Sequence, residues 1–195
     1  MDTPQKARRF YNNSPQYEEF KKSEGWQVPK LLVALTMPYL DGSKRIADIG
    51  CGPGLVGKEL DRVNWRGALI GVDIAEQRLR EAAQKPSYNF CIQADAYRLP
   101  FCDQVFDVVL SSAMVGLTNS NSIREMLRIL KLGGFFACAT GEIKSKDWCR
   151  KRFQEAKQYL EKLSGARILC SQDLGSGYTN EYDDEHYVYY LLRKN

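Results

Sequence analysis

The sequence predicts an α/β domain on a largely parallel sheet of seven strands, and three observations carry that prediction. From Lys44 onward, short apolar runs alternate with stretches of helical periodicity, the pattern of repeated strand-helix-strand units. The runs RIADIG, GALIGVD, NFCIQAD, FDVVLS and FFACAT are mostly apolar on both faces, as parallel strands covered on both sides by helices must be. At 195 residues, with 44% hydrophobic and 27% charged residues, the chain is long enough to bury a full core as one domain without disulfides or metal.

Taken in order, the segment before Lys44 reads as helical. Ser14 and Pro15 suit the cap and first position of one helix, and Pro29 opens another that carries LLVAL. The first strand, RIADIG, runs into the glycine-rich stretch IADIGCGPGLVGKEL, Ile46 to Leu60. After the second strand, Ala75, Leu79, Ala82 and Ala83 share one helix face. Ile123, Met126, Leu127 and Leu130 share another, at i, i+3, i+4 and i+7; Ser122 with Glu125 predicts a capping box at its start, and Gly133 and Gly134 its stop. Beyond the fifth strand, Cys149, Phe153, Ala156, Leu160 and Leu163 form an apolar stripe opposite Lys151, Gln154, Lys157 and Glu161, a helix ended by Gly165. ARILCS and HYVYYLL complete the count of strands, joined by a polar loop, QDLGSGYTNEYDDE, long enough to be functional.

Composition excludes several classes of function. The net charge of +4 is mildly basic, well short of the dense Lys/Arg clustering that would announce a nucleic-acid binder, and charge alone neither proves nor excludes RNA. The six cysteines form no C-x-x-C pair and have only His186 to join them, so no zinc site is expected; they read as reduced core residues. LLVAL is far too short to span a membrane, and MDTPQKARRFYNN has no apolar run behind its basic residues, so neither a membrane span nor a signal peptide is predicted and a cytoplasmic location is the expectation.

The glycine-rich stretch fits three patterns. Gly52, Gly57 and Lys58 give most of a phosphate loop, G-x-x-x-x-G-K, but Glu59 stands where a Ser or Thr must bind Mg²⁺ and would repel a triphosphate. Gly52, Gly54 and Gly57 give the dinucleotide pattern G-x-G-x-x-G, with Asp73 placed to hold ribose hydroxyls at the end of the next strand. That fit speaks for an adenosine ribose, which several cofactors share, while the parts to seat a nicotinamide and to place a proton-transfer residue near it are scarce. Gly50, Gly52 and Gly54 give G-x-G-x-G, and this pattern alone accounts for Asp48, a carboxylate inside an apolar strand that is costly unless paired.

IADIGCGPG resembles the first motif of the class I S-adenosylmethionine-dependent methyltransferases. QADAYRLPFCDQVFDVVLSS resembles the stretch after the third strand in that superfamily, and IREMLRILKLGGFF its helix and turn before the fifth. The similarity is nearest to the ubiquinone/menaquinone-biosynthesis type and to methyltransferase-like proteins of the Williams-Beuren region. The resemblance implies a Rossmann-like, doubly wound sheet of order 3-2-1-4-5-7-6 with its seventh strand antiparallel and a helical N-terminal lid. It implies S-adenosyl-L-methionine as cofactor, contacted by Asp48, Gly50, Cys51, Gly52 and Gly54 of the loop. Asp73 would take both ribose hydroxyls, Ile74 would cover adenine, and Asp95 with the N–H of Ala96 would read the adenine edge. Ser111 and Ser112 would line the methyl-transfer side, Tyr17 and the lid aromatics Tyr11 and Trp26 would fold over the cofactor and acceptor, and Tyr178 in the late polar loop would face the substrate. An aromatic face beside a sulfonium gains cation–π stabilisation.

In one respect the chain departs from the family: where many relatives carry histidine after the fourth strand, it has MVGLTN, so no catalytic base is assigned. The expectation is one methyltransferase domain over 1–195, with a helical cap at 1–43, a cofactor-binding core at 44–140 and a sheet-completing helix and two strands at 141–195. Its acceptor is expected to be a small molecule. A protein or RNA acceptor, or a cofactor-binding interaction module without turnover, stays open, as does the oligomeric state.

Overall fold

A computed structural model describes residues 4–13, 25–41, 44–179 and 184–195. The described elements are α1 (Pro4–Asn12), α2 (Val28–Thr36), β1 (Arg45–Ile49), α3 (Leu55–Arg62), β2 (Ala68–Asp73), α4 (Glu76–Ala82), β3 (Tyr88–Gln93), β4 (Phe106–Ser112), α5 (Ser120–Ile129), β5 (Leu130–Ile143), α6 (Asp147–Glu161), β6 (Ala166–Gly175) and β7 (Glu185–Lys194). Single 3-10 turns lie at Met37–Tyr39 and Val115–Leu117. The helix predicted at Ser14 and Pro15 falls outside the described residues.

The strands form one seven-stranded sheet in the order β3-β2-β1-β4-β5-β7-β6. β1 to β5 pair in parallel, and β7 runs antiparallel to both β5 and β6. This is the doubly wound, Rossmann-like arrangement expected from the sequence, with the expected strand order. Successive strand residues alternate between two apolar layers: Val109, Phe136 and Cys138 pack on one face with Ile123, Met126, Phe153 and Leu160 of α5 and α6. Val108, Leu110, Ala137 and Ala139 pack on the other with Leu32 of α2 and Val56 and Leu60 of α3. Each large aliphatic side chain so buried contributes roughly 1.5–3 kcal/mol over its exposed state.

Local chemistry moves three boundaries. The cap of α5 is Asn119, whose side chain accepts from the N–H of Asn121 at 3.0 Å; Ser122 is buried inside the helix and its hydroxyl donates to the Asn119 carbonyl. Glu125 does not close a capping box, because its carboxylate accepts from the N–H of Leu99 and pairs with Arg128. Gly133 and Gly134 do not stop that helix either: it ends at Ile129, and both glycines lie within β5, which pairs again with β4 from Phe135. Finally, β6 continues to Gly175 along β7, so the first part of the predicted polar loop is strand.

The strand order reverses beside β1, whose neighbours are β2 and β4, and the crevice outside the carboxyl ends of these strands is where such sheets take their ligands.

Candidate functional site

A cavity opens at that crevice. β1 delivers Ile49 and the loop Gly50, Cys51, Gly52 and Pro53; β2 delivers Asp73 and Ile74; the end of β3 delivers Ala94, Asp95, Ala96 and Tyr97; and the end of β4 delivers Ser112, Ala113 and Met114. Ala7 and Tyr11 of α1, with Trp26 and Pro29, form its roof.

The loop owes its shape to backbone positions that favour glycine. Gly52 has φ +53 and Gly54, the residue before α3, has φ +85. A Cβ at Gly52 would meet no protein atom within 4 Å, so the backbone here borders open space. Gly54 differs: its Cβ position lies 3.0 Å from Ala82, Lys85 and Tyr88, so that glycine lets α3 approach α4 and β3 rather than a ligand. Leu55 and Val56, in the first turn of α3, also line the cavity; the first N–H groups of a helix lack intrahelical partners and favour an anionic group there.

Asp73 ties the loop to the sheet. Its Oδ2 accepts from the N–H of Gly52 at 2.9 Å and its Oδ1 from the N–H of Ala75 at 2.8 Å. Two oxygens offer about four lone-pair sites, so acceptor capacity remains on the cavity side. Desolvation raises its proton affinity, against the pull of those N–H groups. Asp95 lines the same cavity and accepts from the N–H of Tyr97 at 3.0 Å. Tyr11 is half-buried, and its phenol is pushed upward by desolvation and then by the nearness of Asp73.

The other candidates divide cleanly. Asp48 does not line the cavity: it is fully buried beneath the loop, where its Oδ2 accepts from the Tyr88 hydroxyl at 2.6 Å while that hydroxyl accepts from the N–H of Gly57 at 3.3 Å. Ser111 is likewise fully buried and donates to the Ile49 carbonyl at 2.9 Å, joining β4 to β1. Ser112 points elsewhere; it lines the cavity, and its buried Oγ has no hydrogen-bond partner among the described residues. Tyr178 lies outside the cavity lining, with its hydroxyl donated to Glu185 at 3.0 Å. Its backbone bridges that of Trp26, so it supports the roof from behind. Tyr17 falls outside the described residues. His186 stands at the strand edge beside Asp173, its Nε2 3.1 Å from that carboxylate.

Desolvation pushes the Asp48 carboxyl up to about 7, against the pull of the Tyr88 hydroxyl. The folded state then holds a proton that the unfolded chain releases above 3.8, so stability falls as pH rises from about 4 to about 7 and levels off above. In the unliganded protein, Asp48→Asn flattens that part of a denaturation-versus-pH profile. An unaltered slope in the variant would assign the dependence to another group.

Sequence reasoning missed Arg78, Tyr97, Met114, Leu117, Thr118 and Arg152, all of which line the cavity. For Arg78 a signal existed: with Ala75, Leu79 and Ala82 it completes the i, i+3, i+4, i+7 face of α4, and it is 1% exposed, its guanidinium paired with Glu81 at 3.0 Å. Arg152 neighbours Phe153 on an amphipathic helix, and no periodicity separates it from the solvated residues.

Residues 47–138 match the model of a family described as a methyltransferase domain. Over 137 residues the chain is 30% identical to an uncharacterized methyltransferase of Schizosaccharomyces pombe, an alignment covering 64% of this chain and 49% of that protein. It is 32% identical over 140 residues to a demethylmenaquinone methyltransferase of Staphylococcus epidermidis, covering 66% and 57%. The chain thus spans about half the length of the curated relatives it matches. Among solved structures, geranyl diphosphate C-methyltransferase of Streptomyces coelicolor, in complex with Mg²⁺, geranyl-S-thiolodiphosphate and S-adenosyl-L-homocysteine, superposes with a TM-score of 0.73 at 13% identity, covering 100% of this chain and 99% of that one. That likeness concerns the fold. Residues 47–138 thus resemble a methyltransferase domain, and the chain as a whole has the fold of that solved methyltransferase structure. Among the described residues no group of three or more His, Cys, Asp or Glu is placed to hold a metal ion, and no helix is long and apolar enough to cross a membrane.

Proposed function

We propose that the chain is one methyltransferase domain that binds S-adenosyl-L-methionine in this cavity and directs its methyl group to a small-molecule acceptor. The observation that carries the reading is the convergence of Asp73, Asp95 and the open face of Gly52 on one cavity. Asp73 takes the ribose hydroxyls, Ile74 and Asp95 with Ala96 take the adenine, and the Gly50–Gly52 bend lies against the amino-acid tail. The two carboxylates suit hydroxyl and amino donors, and the uncrowded Gly52 leaves room for a chain without a pyrophosphate.

The bound cofactor supplies an electrophilic methyl on a sulfonium, so the protein's task is alignment and exclusion of water. Tyr11 and Trp26 cover the cavity, and Tyr11 places an aromatic face where a cation gains from it. Ser112, with an uncommitted buried hydroxyl, faces the acceptor side. A small acceptor fits a roofed cavity of this kind, and the names of the relatives, demethylmenaquinone and geranyl diphosphate methyltransferases, point the same way.

Thermal denaturation against S-adenosylmethionine, S-adenosylhomocysteine, NAD, NADP and ATP tests the cofactor. At 100 Kd a ligand bound only by the folded state adds roughly 3 kcal/mol, and we expect that rise with the first two alone. An equal rise with NAD or ATP would overturn the reading.

A further inference from the structure

Resting on the cofactor reading above, we propose that Arg152 is the recognition residue for an oxyanion, a carboxylate or phosphate, carried on a small and otherwise apolar methyl acceptor. Arg152 comes from α6 and lines the cavity on the β4–β5 side, whereas Asp73 and Asp95 close strands on the other side of β1. Its Nη1 donates to the Leu117 carbonyl at 3.2 Å, which fixes the guanidinium beside the turn after β4. No carboxylate among the described residues lies within salt-bridge distance of it, unlike Arg78, the other cation of the lining, which is neutralised by Glu81.

A half-buried guanidinium with N–H groups to spare matches the planar, two-oxygen face of a carboxylate or the oxygens of a phosphate. In the lining of the same cavity, the buried Ser112 hydroxyl, partnerless among the described residues, offers a further donor to an entering polar group. Met114 and Leu117 supply the apolar contact for the rest of the molecule. The acceptor's charge then contributes both to its own binding and to its orientation.

The test uses the full chain loaded with S-adenosylhomocysteine and titrated, by thermal shift, with benzoate, phenyl phosphate and benzamide. Benzoate or phenyl phosphate raises the midpoint and neutral benzamide does not; which of the two anions binds better identifies the group. In Arg152→Gln the apparent Kd of that anion weakens about tenfold or more, Arg152→Lys retains part of the affinity, and the Kd for S-adenosylhomocysteine stays within about twofold of wild type. The proposal is overturned if benzamide binds as well as benzoate, or if Arg152→Gln weakens S-adenosylhomocysteine as much as it weakens the anion, which would make Arg152 a cofactor contact. If wild-type protein fails to bind S-adenosylhomocysteine, the cofactor reading falls by itself, and the same anion titrations on unloaded protein still decide whether Arg152 binds an oxyanion.

Discussion

Asp73→Ala weakens S-adenosylhomocysteine binding by about a hundredfold or more in calorimetric titration. Two hydrogen bonds from ribose hydroxyls to a carboxylate are worth roughly 1.5 kcal/mol each at the low end, and a factor of ten in Kd corresponds to about 1.4 kcal/mol. The same substitution removes the acceptor for the N–H groups of Gly52 and Ala75, so the loop that borders the cavity is no longer held to the end of β2. Asp73→Asn separates the two contributions. It keeps one carbonyl oxygen for the loop and loses the charge, so a loss of about tenfold is expected. An unchanged Kd in Asp73→Ala would remove the ribose assignment.

The second large effect is on folding and falls at Gly57→Ala. A Cβ there would lie 2.2 Å from Cε2 and 2.9 Å from Cδ2 of the Tyr88 ring, and 2.6 Å from the Ser87 hydroxyl. The ring has no room to retreat, because its hydroxyl is fixed between Asp48 and the N–H of Gly57 and the side chain is buried against Gly54 and Gly71. Overpacking of this kind costs about 1–3 kcal/mol, and we expect the upper end in chemical denaturation. Gly52→Ala behaves in the opposite sense. The added methyl meets nothing within 4 Å, so the fold loses only the left-handed backbone penalty of roughly 1–2 kcal/mol, while the methyl group intrudes where the proposed binding mode puts the cofactor tail. Gly57→Ala with near wild-type stability, or Gly52→Ala with unaltered S-adenosylhomocysteine affinity, would reassign these glycines.

The sheet was legible because its signal is repeated. Strands such as FDVVLS must be apolar on both faces to lie between two helical layers, and five such runs in succession leave few other architectures. Boundaries were less legible where tertiary contacts outweigh local propensity. Asn119 and Ser122 are both competent caps, and the choice between them depends on Glu125 being drawn to Leu99, distant in sequence, and to Arg128, one turn further along the same helix face. The two halves of the site differ in the same way. Gly52, Asp73 and Asp95 follow strands at positions the chain path dictates, so pattern finds them. Arg152 reaches the cavity from the side of a helix, and its role depends on how α6 packs beside the turn after β4. Ser111 and Ser112 could not be told apart by sequence, since a strand alternates its faces and only the sheet decides which hydroxyl meets the Ile49 carbonyl.

The roof has a consequence for the order of assembly. Gln27 donates to the Gly177 carbonyl at 2.6 Å and Thr179 to the Gly25 carbonyl at 3.1 Å, and the Thr179 hydroxyl reaches the same carbonyl across a sequence separation of 154. During synthesis Trp26 therefore leaves the ribosome long before the segment that clasps it exists, and closing so long a loop is slow relative to helix formation. The nascent chain has β1 to β5 before the clasp of its roof exists, so capture of a ligand under a closed roof waits for the segment that ends at Thr179.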